Sequence, residues 1–158
     1  MVSLFACAPV AGAQLFARVV RRVVIVSPSK RRFLFGSERR LHRPEEFSLV
    51  FSSRLVIRDG RDMPFVLHYR LSGNGSPSRL GIVVPKRYAK AASLRNAIKR
   101  QAREVFRLLS DEIPPCDLVL RLNRSLSEVK SRDGFKRKEW RIMMDALFKR
   151  IVTALSTQ

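Results

Sequence analysis

The most informative stretch of the chain is Leu94-Arg95-Asn96-Ala97-Ile98-Lys99-Arg100-Gln101-Ala102-Arg103-Glu104-Val105-Phe106-Arg107-Leu108-Leu109. At about 100° per residue, Leu94, Ile98, Ala102, Val105 and Leu109 share one face of a helix. Arg95, Asn96, Lys99, Arg100, Arg103 and Arg107 take the other. Arg95, Lys99, Arg103 and Arg107 follow one another at i, i+4, and each like-charged pair costs an isolated helix about a few tenths of a kcal/mol. Lys86, Arg87 and Lys90 come just before, and Glu104 is the single acid from there to Arg107. Such a stripe is tolerable if distant acids balance it or if an external polyanion neutralises it.

Composition favours the polyanion. The chain has 158 residues, with 32 Lys and Arg against 13 Asp and Glu, a formal charge of +19. Distant acids are too few to balance the helix, and nucleic acid is a better partner for this charge than a membrane surface. The same shortage argues against carboxylate-based catalysis. His42 and His68 are isolated, so neither a catalytic residue nor a protein-held metal site is expected. Hydrophobic residues make up 46%, enough for a buried core in one domain. Cys7 and Cys116 are far apart in sequence and fit a disulfide scaffold poorly; they suit apolar packing in a reducing, cytoplasmic setting.

Outward from the basic stretch, the patterns predict a small mixed sheet with helices. Pro44 suits a first helical turn, Glu45 and Glu46 suit the positive end of its dipole, and Phe47, Val50 and Phe51 share a face. Leu55-Val56-Ile57 is a short strand candidate, followed by an Asp59-Gly60 turn. In Phe65–Leu71 one set of residues (Phe65, Leu67, Tyr69, Leu71) alternates with another (Val66, His68, Arg70), as in a half-buried strand. Strands are also predicted at 80–84 and 117–122. A final helix over about 135–155 carries Trp140, Met143, Met144, Leu147, Ile151 and Leu155 on one stripe, with Trp140 as its core anchor. Residues 1–36 alternate apolar and basic patches. They are expected to be a flexible extension or the product of too early a start codon, with an amphipathic arm on RNA or lipid as the alternative. The positive charges there follow the apolar run, the reverse of a secretory signal.

Arg95-Asn96-Ala97-Ile98-Lys99-Arg100, with Ala92 before it, resembles the signature helix of the bacterial ribonuclease P protein subunit. Ala97 departs from the pattern, which usually has a long side chain there. Glu38–Leu41, Pro44–Phe51, Phe65–Leu67, Arg79–Arg87, Asp117–Leu120 and the Trp140 helix resemble the family's other segments in order, covering residues 37–155. The resemblance implies a single α+β domain over 37–158, a four-stranded mixed sheet in the order αβββαβα. It further implies a left-handed crossover at the basic helix, as in the second domain of ribosomal protein S5.

It also implies a role. The family's protein binds a large catalytic RNA, and together they form an endoribonuclease that removes the 5′ leader of precursor tRNA, with Mg²⁺ held mainly by the RNA. Lys86, Arg87, Lys90, Arg95, Asn96, Lys99, Arg100 and Arg103 are the expected contacts to the catalytic RNA. Phe47, Phe51 and Phe65 are candidate stacking platforms for the single-stranded leader. Where the family often has an aromatic, this chain has His68 followed by Tyr69, so either His68 stacks in its place or the register differs. No membrane or obligate protein partner is implied. The competing reading is a ribosomal or other structural RNA-binding protein, which fits the charge and size equally well and lacks only the signature helix.

Overall fold

Pro44 opens α1 (Pro44–Ser52), where its missing N–H has no partner to lose. The carboxylate of Glu46 then turns back, and its Oε2 accepts hydrogen bonds from the backbone N–H groups of His42 at 2.8 Å and Arg43 at 3.0 Å. That satisfies two donors at the helix entrance. The computed structural model describes residues 35–60, 62–73, 76–126 and 133–156. After α1 come β1 (Val56–Ile57), β2 (Phe65–Leu71), β3 (Arg79–Val83), α2 (Ala92–Leu109), β4 (Cys116–Leu122) and α3 (Gly134–Ser156). This is the expected αβββαβα order, preceded by a short 3₁₀ turn at Ser37–Arg39 that the sequence did not suggest.

The sheet order is β1-β2-β4-β3. β2 pairs antiparallel with β1 and β4, whereas β3 pairs parallel with β4, so α2 is the crossover between two parallel neighbours. At the β3 edge, Arg40 bridges Leu80, and the Leu41 N–H bonds the Leu80 carbonyl at 3.3 Å. This blunts an edge that would otherwise be open. Between β1 and β2, Gly60 takes a φ of +83°, a conformation that a side chain resists.

Period-two alternation gives the sheet two unlike faces. Phe65 and Leu67 of β2, Leu80 of β3, and Cys116, Leu118, Leu120 and Leu122 of β4 all belong to the main core. The helices cover that face with Leu94, Ile98, Ala102, Val105, Phe106 and Leu109 from α2 and Trp140, Met144, Leu147, Phe148 and Ile151 from α3. Both apolar stripes were legible in the sequence. Phe35 also packs here, edge-on to Phe106 with ring centroids 5.6 Å apart. The folded unit therefore includes a residue assigned by sequence to the N-terminal extension. Residues 1–34, on which the rest of that expectation falls, lie outside the described residues. The opposite face carries a smaller cluster of Leu41, Val50 and Val119, with Phe47, Phe51 and Val83 against it.

Two contacts set α1 on that second face. The Phe47 ring lies over Gly81, where an added Cβ would come within 2.5 Å of its Cε1 atom. Arg79 supplies the second. Its Nε and Nη2 donate to the two oxygens of Asp117 at 2.8 and 2.9 Å, and its Nη1 donates to Glu46 Oε1 at 2.6 Å. The Glu46 carboxyl is held at about 2, against 4.5, by the Arg43 and His42 N–H groups first and by Arg79 after them, with burial opposing.

Two outcomes follow. Gly81→Val should destabilise the fold by about 1–3 kcal/mol through overpacking, read as a lower urea midpoint; an unchanged midpoint would mean that Phe47 moves aside freely. A carboxylate with a depressed pKa contributes fully above its unfolded value and loses that contribution as it protonates. Glu46→Gln should therefore be less stable than the parent at neutral pH, and the gap should close as pH falls from 4.5 towards about 2. A gap of constant size in urea titrations across that range would exclude ionisation of Glu46 as its source.

Candidate RNA interface

α2 buries its apolar stripe and turns its bases outward. Asn96, Arg100 and Arg103 are exposed, as are Lys86, Arg87 and Lys90 in the loop before the helix; Lys99 is half-buried. The acids that could quench this surface are engaged elsewhere. Asp117 and Glu46 hold Arg79, Asp111 lies near Arg39, and Glu104 pairs with Arg107 at 2.6 Å. Among the described residues, Lys86, Arg87, Lys90, Lys99, Arg100 and Arg103 appear in no ion pair. The first turn of α2 holds no acid and its N-cap, Ala91, supplies no side-chain cap, so the positive helix end adds to the same field. Six bases close together without carboxylate partners make a surface suited to phosphates.

Arg95 does something the helical wheel does not indicate. Its Nη1 donates to the carbonyls of Ala89 at 3.0 Å and Lys90 at 2.7 Å. The loop is pinned further by Tyr88 and Ala89 N–H bonds to the Pro85 carbonyl and by the Leu126 N–H on the Tyr88 carbonyl at 2.7 Å. Ala89 is fully buried. Arg87 lies over the Tyr88 ring at 4.6 Å. Arg95 thus holds the loop that presents Lys86, Arg87 and Lys90, in addition to standing on the basic face.

The second face of the sheet forms a cleft beneath α1. Phe47 and Phe51 are both half-buried and leave ring surface accessible. Phe51 meets the His68 ring edge-on at 4.9 Å, and the Arg121 guanidinium stands 5.9 Å from the Phe51 centroid. His68 is kept from protonating chiefly by burial, then by Arg121 and Arg58, and its Nδ1 is buried without a hydrogen-bond partner. Its ring stands on the same face of the sheet as Phe51. Arg121 was not picked out from sequence. Its signal was the alternation Asp117, Val119, Arg121 opposite the apolar face of β4.

Phe65 does not belong to this cleft. It is completely buried in the main core, on the helix-covered face with Leu67, and presents no ring to a base. The alternation in β2 already placed Phe65 and His68 on opposite faces, so the two could not serve one strand of RNA together.

The two surfaces meet at the β3 edge. Lys99 and Arg103 line a small pocket of about 130 Å³ with Phe47, Gly81, Ile82 and Arg40.

The sequence and the fold have counterparts among known proteins. The family model described as Ribonuclease P matches residues 35–151. The ribonuclease P protein component of Saccharophagus degradans is 36% identical over 126 residues, covering 80% of this chain and 87% of that protein. The same component from an Azoarcus species is 45% identical over 94 residues, covering 60% of this chain and 75% of that protein. Among solved structures, the ribonuclease P protein of Thermotoga maritima superposes with a TM-score of 0.58 at 34% identity, covering 71% of this chain and 96% of that one. That of Staphylococcus aureus gives 0.59 at 20% identity, which speaks for the fold. By its residues, its fold and its relatives, the chain belongs to the ribonuclease P protein family.

Proposed function

We propose that this chain works as the protein subunit of ribonuclease P by using two adjoining surfaces for two RNAs. The exposed bases of α2 and of the loop before it hold the catalytic RNA through its phosphates. The cleft of Phe47, Phe51, His68 and Arg121 holds the single-stranded 5′ leader of precursor tRNA by stacking, which is tolerant of sequence. The observation that carries this reading is the basic face of α2, whose Lys99, Arg100 and Arg103 have no ion-pair partner among the described residues.

In this reading the chain positions substrate and the RNA performs the hydrolysis. Among the described residues, no three of His, Cys, Asp and Glu come together as metal ligands. Glu46, Asp117 and Glu104 are already committed to arginines. The Mg²⁺ that the resemblance implies is left with the RNA in this proposal. The described residues contain no helix long and apolar enough to cross a membrane. A cytoplasmic place beside the tRNA precursors is part of the proposal.

The test is precursor-tRNA cleavage at low Mg²⁺ by a bacterial ribonuclease P RNA, with and without the protein. Strong stimulation, together with no cleavage by the protein alone, is the expected result; tight RNA binding without stimulation would overturn the assignment. In the same assay format, the Lys99→Ala, Arg100→Ala double variant should keep its melting temperature and bind the catalytic RNA more weakly. Its salt dependence should fall by roughly one unit of slope for each phosphate contact removed. Unchanged affinity and slope would remove α2 from the interface.

A further inference from the structure

α3 buries Trp140, Met144, Leu147, Phe148 and Ile151 and turns a different set of side chains to solvent. At about 100° per residue, Phe135, Lys138 and Ile142 fall within roughly 40° of the direction opposite that stripe. Phe135 is 75% exposed and Ile142 70%, more than any other large hydrophobic among the described residues. The other described aromatic rings are buried or half-buried. Single exposed apolar side chains are ordinary, but two on one helix face with a base between them mark a contact surface. The acids of α3 are engaged, Glu139 with Lys136 at 2.8 Å and Asp145 with Lys149 at 2.7 Å. Lys138 and Arg141 are exposed and appear in no ion pair among the described residues. This face adjoins the surface of α2. The two helices pack through Phe106 and Phe148, with ring centroids 6.0 Å apart. The Glu104 carboxyl on α2 is held below its ordinary range by Arg107 first, against burial, and Arg141 adds to that pull from α3.

We propose that the outer face of α3 is a second contact for the catalytic RNA, with an unpaired base stacked on the Phe135 ring and a neighbouring phosphate on Lys138. This rests on the function given above and carries the RNA interface onto a helix outside the basic stripe of α2. A flat ring presented to solvent accepts the face of any base. RNA offers such faces where bases are splayed out of loops and bulges. An ammonium with no carboxylate beside it suits a phosphate. Continuity with α2 brings the same polyanion within reach of both helices. A second copy of the chain is a poor occupant, because it would set Lys138 against like charge in a protein of net charge +19. A lipid surface calls for a broad apolar face, and here two side chains supply it. The ring and the ammonium divide the work. Stacking adds affinity without counterion release, whereas Lys138 contributes through the salt-dependent part of binding.

The experiment uses the full-length protein and a bacterial ribonuclease P RNA, with filter binding across a salt series and light scattering on the free protein. Phe135→Ala should weaken binding about tenfold with the salt slope unchanged. Phe135→Trp should bind at least as well as the parent. Phe135→Leu keeps apolar bulk without a flat ring and should be as weak as Phe135→Ala. Lys138→Ala should lower the salt slope by about one. Leu71→Ala, which removes an exposed apolar side chain at the end of β2, should bind like the parent. If Phe135→Leu binds like the parent while Phe135→Ala is impaired, the face works by apolar docking, and stacking is overturned. If Phe135→Ala binds like the parent while Arg100→Ala is impaired, α3 is no contact and the α2 interface stands. If Arg100→Ala also binds like the parent, the α2 interface fails and the contact on α3 with it. A Phe135→Ala protein that keeps its RNA affinity but scatters as a smaller species would make the face a junction between two copies and overturn the proposal. Equal losses at Phe135 and Leu71 would overturn it as well.

Discussion

Arg79 stands where β3, β4 and α1 meet, and its guanidinium closes on Asp117 across the parallel pair and on Glu46 at the helix entrance. A half-buried guanidinium with two carboxylates is favourable only because each donor meets an acceptor in good geometry. Glu46 serves two ends of this arrangement, one oxygen on Arg79 and the other on the His42 and Arg43 N–H groups. The helix start, the register of the parallel strands and the seat of α1 are therefore fixed together. The same contacts withdraw two acids from a chain that has few, and so keep them from quenching the bases of α2.

With α1 fixed on one side of the sheet, the other is left to α2 and α3. The division gives each face its work. The side packed by both long helices supplies the main core, from Phe65 to Ile151. The side beneath α1 is only partly covered, because a nine-residue helix cannot span four strands, and the rings of Phe47, Phe51 and His68 remain within reach. Gly81 brings Phe47 down onto β3, next to Lys99 and Arg103. The basic surface and the aromatic cleft are thus continuous around one strand edge. In the proposed function, that continuity is what brings a structured RNA and a single strand together on one small domain.

Most of the fold was legible because its signals are periodic. The stripe Leu94, Ile98, Ala102, Val105 and Leu109 is buried as helical spacing requires, and so are Trp140, Met144, Leu147 and Ile151 of the other stripe, whose Met143 and Leu155 are half-buried. Cys116 is a buried apolar side chain, its thiol pushed up to about 12 by burial. What escaped was decided by tertiary contact. Phe65 had the right residue type for stacking, but which face of β2 the helices would cover cannot be read from alternation alone. The wheel gave the direction of Arg95 and not its reach, so its bonds to Ala89 and Lys90 were invisible. Arg79 and Asp117 are 38 residues apart and become partners only through the β3–β4 register. Arg137 reaches the α2 surface only because the helices pack side by side.

Site-directed crosslinking distinguishes two neighbouring surfaces that hold two different RNAs from one surface that holds a single RNA. Cys7→Ser removes one native thiol, and the other, Cys116, is buried. A photocrosslinker is then placed by Ser48→Cys on α1 beside the cleft, or by Ser93→Cys at the start of the α2 surface, in the holoenzyme with precursor tRNA. Crosslinks to the 5′ leader are expected from position 48 and to the catalytic RNA from position 93. Crosslinks from both positions to the same RNA, or the reverse assignment, would contradict that division.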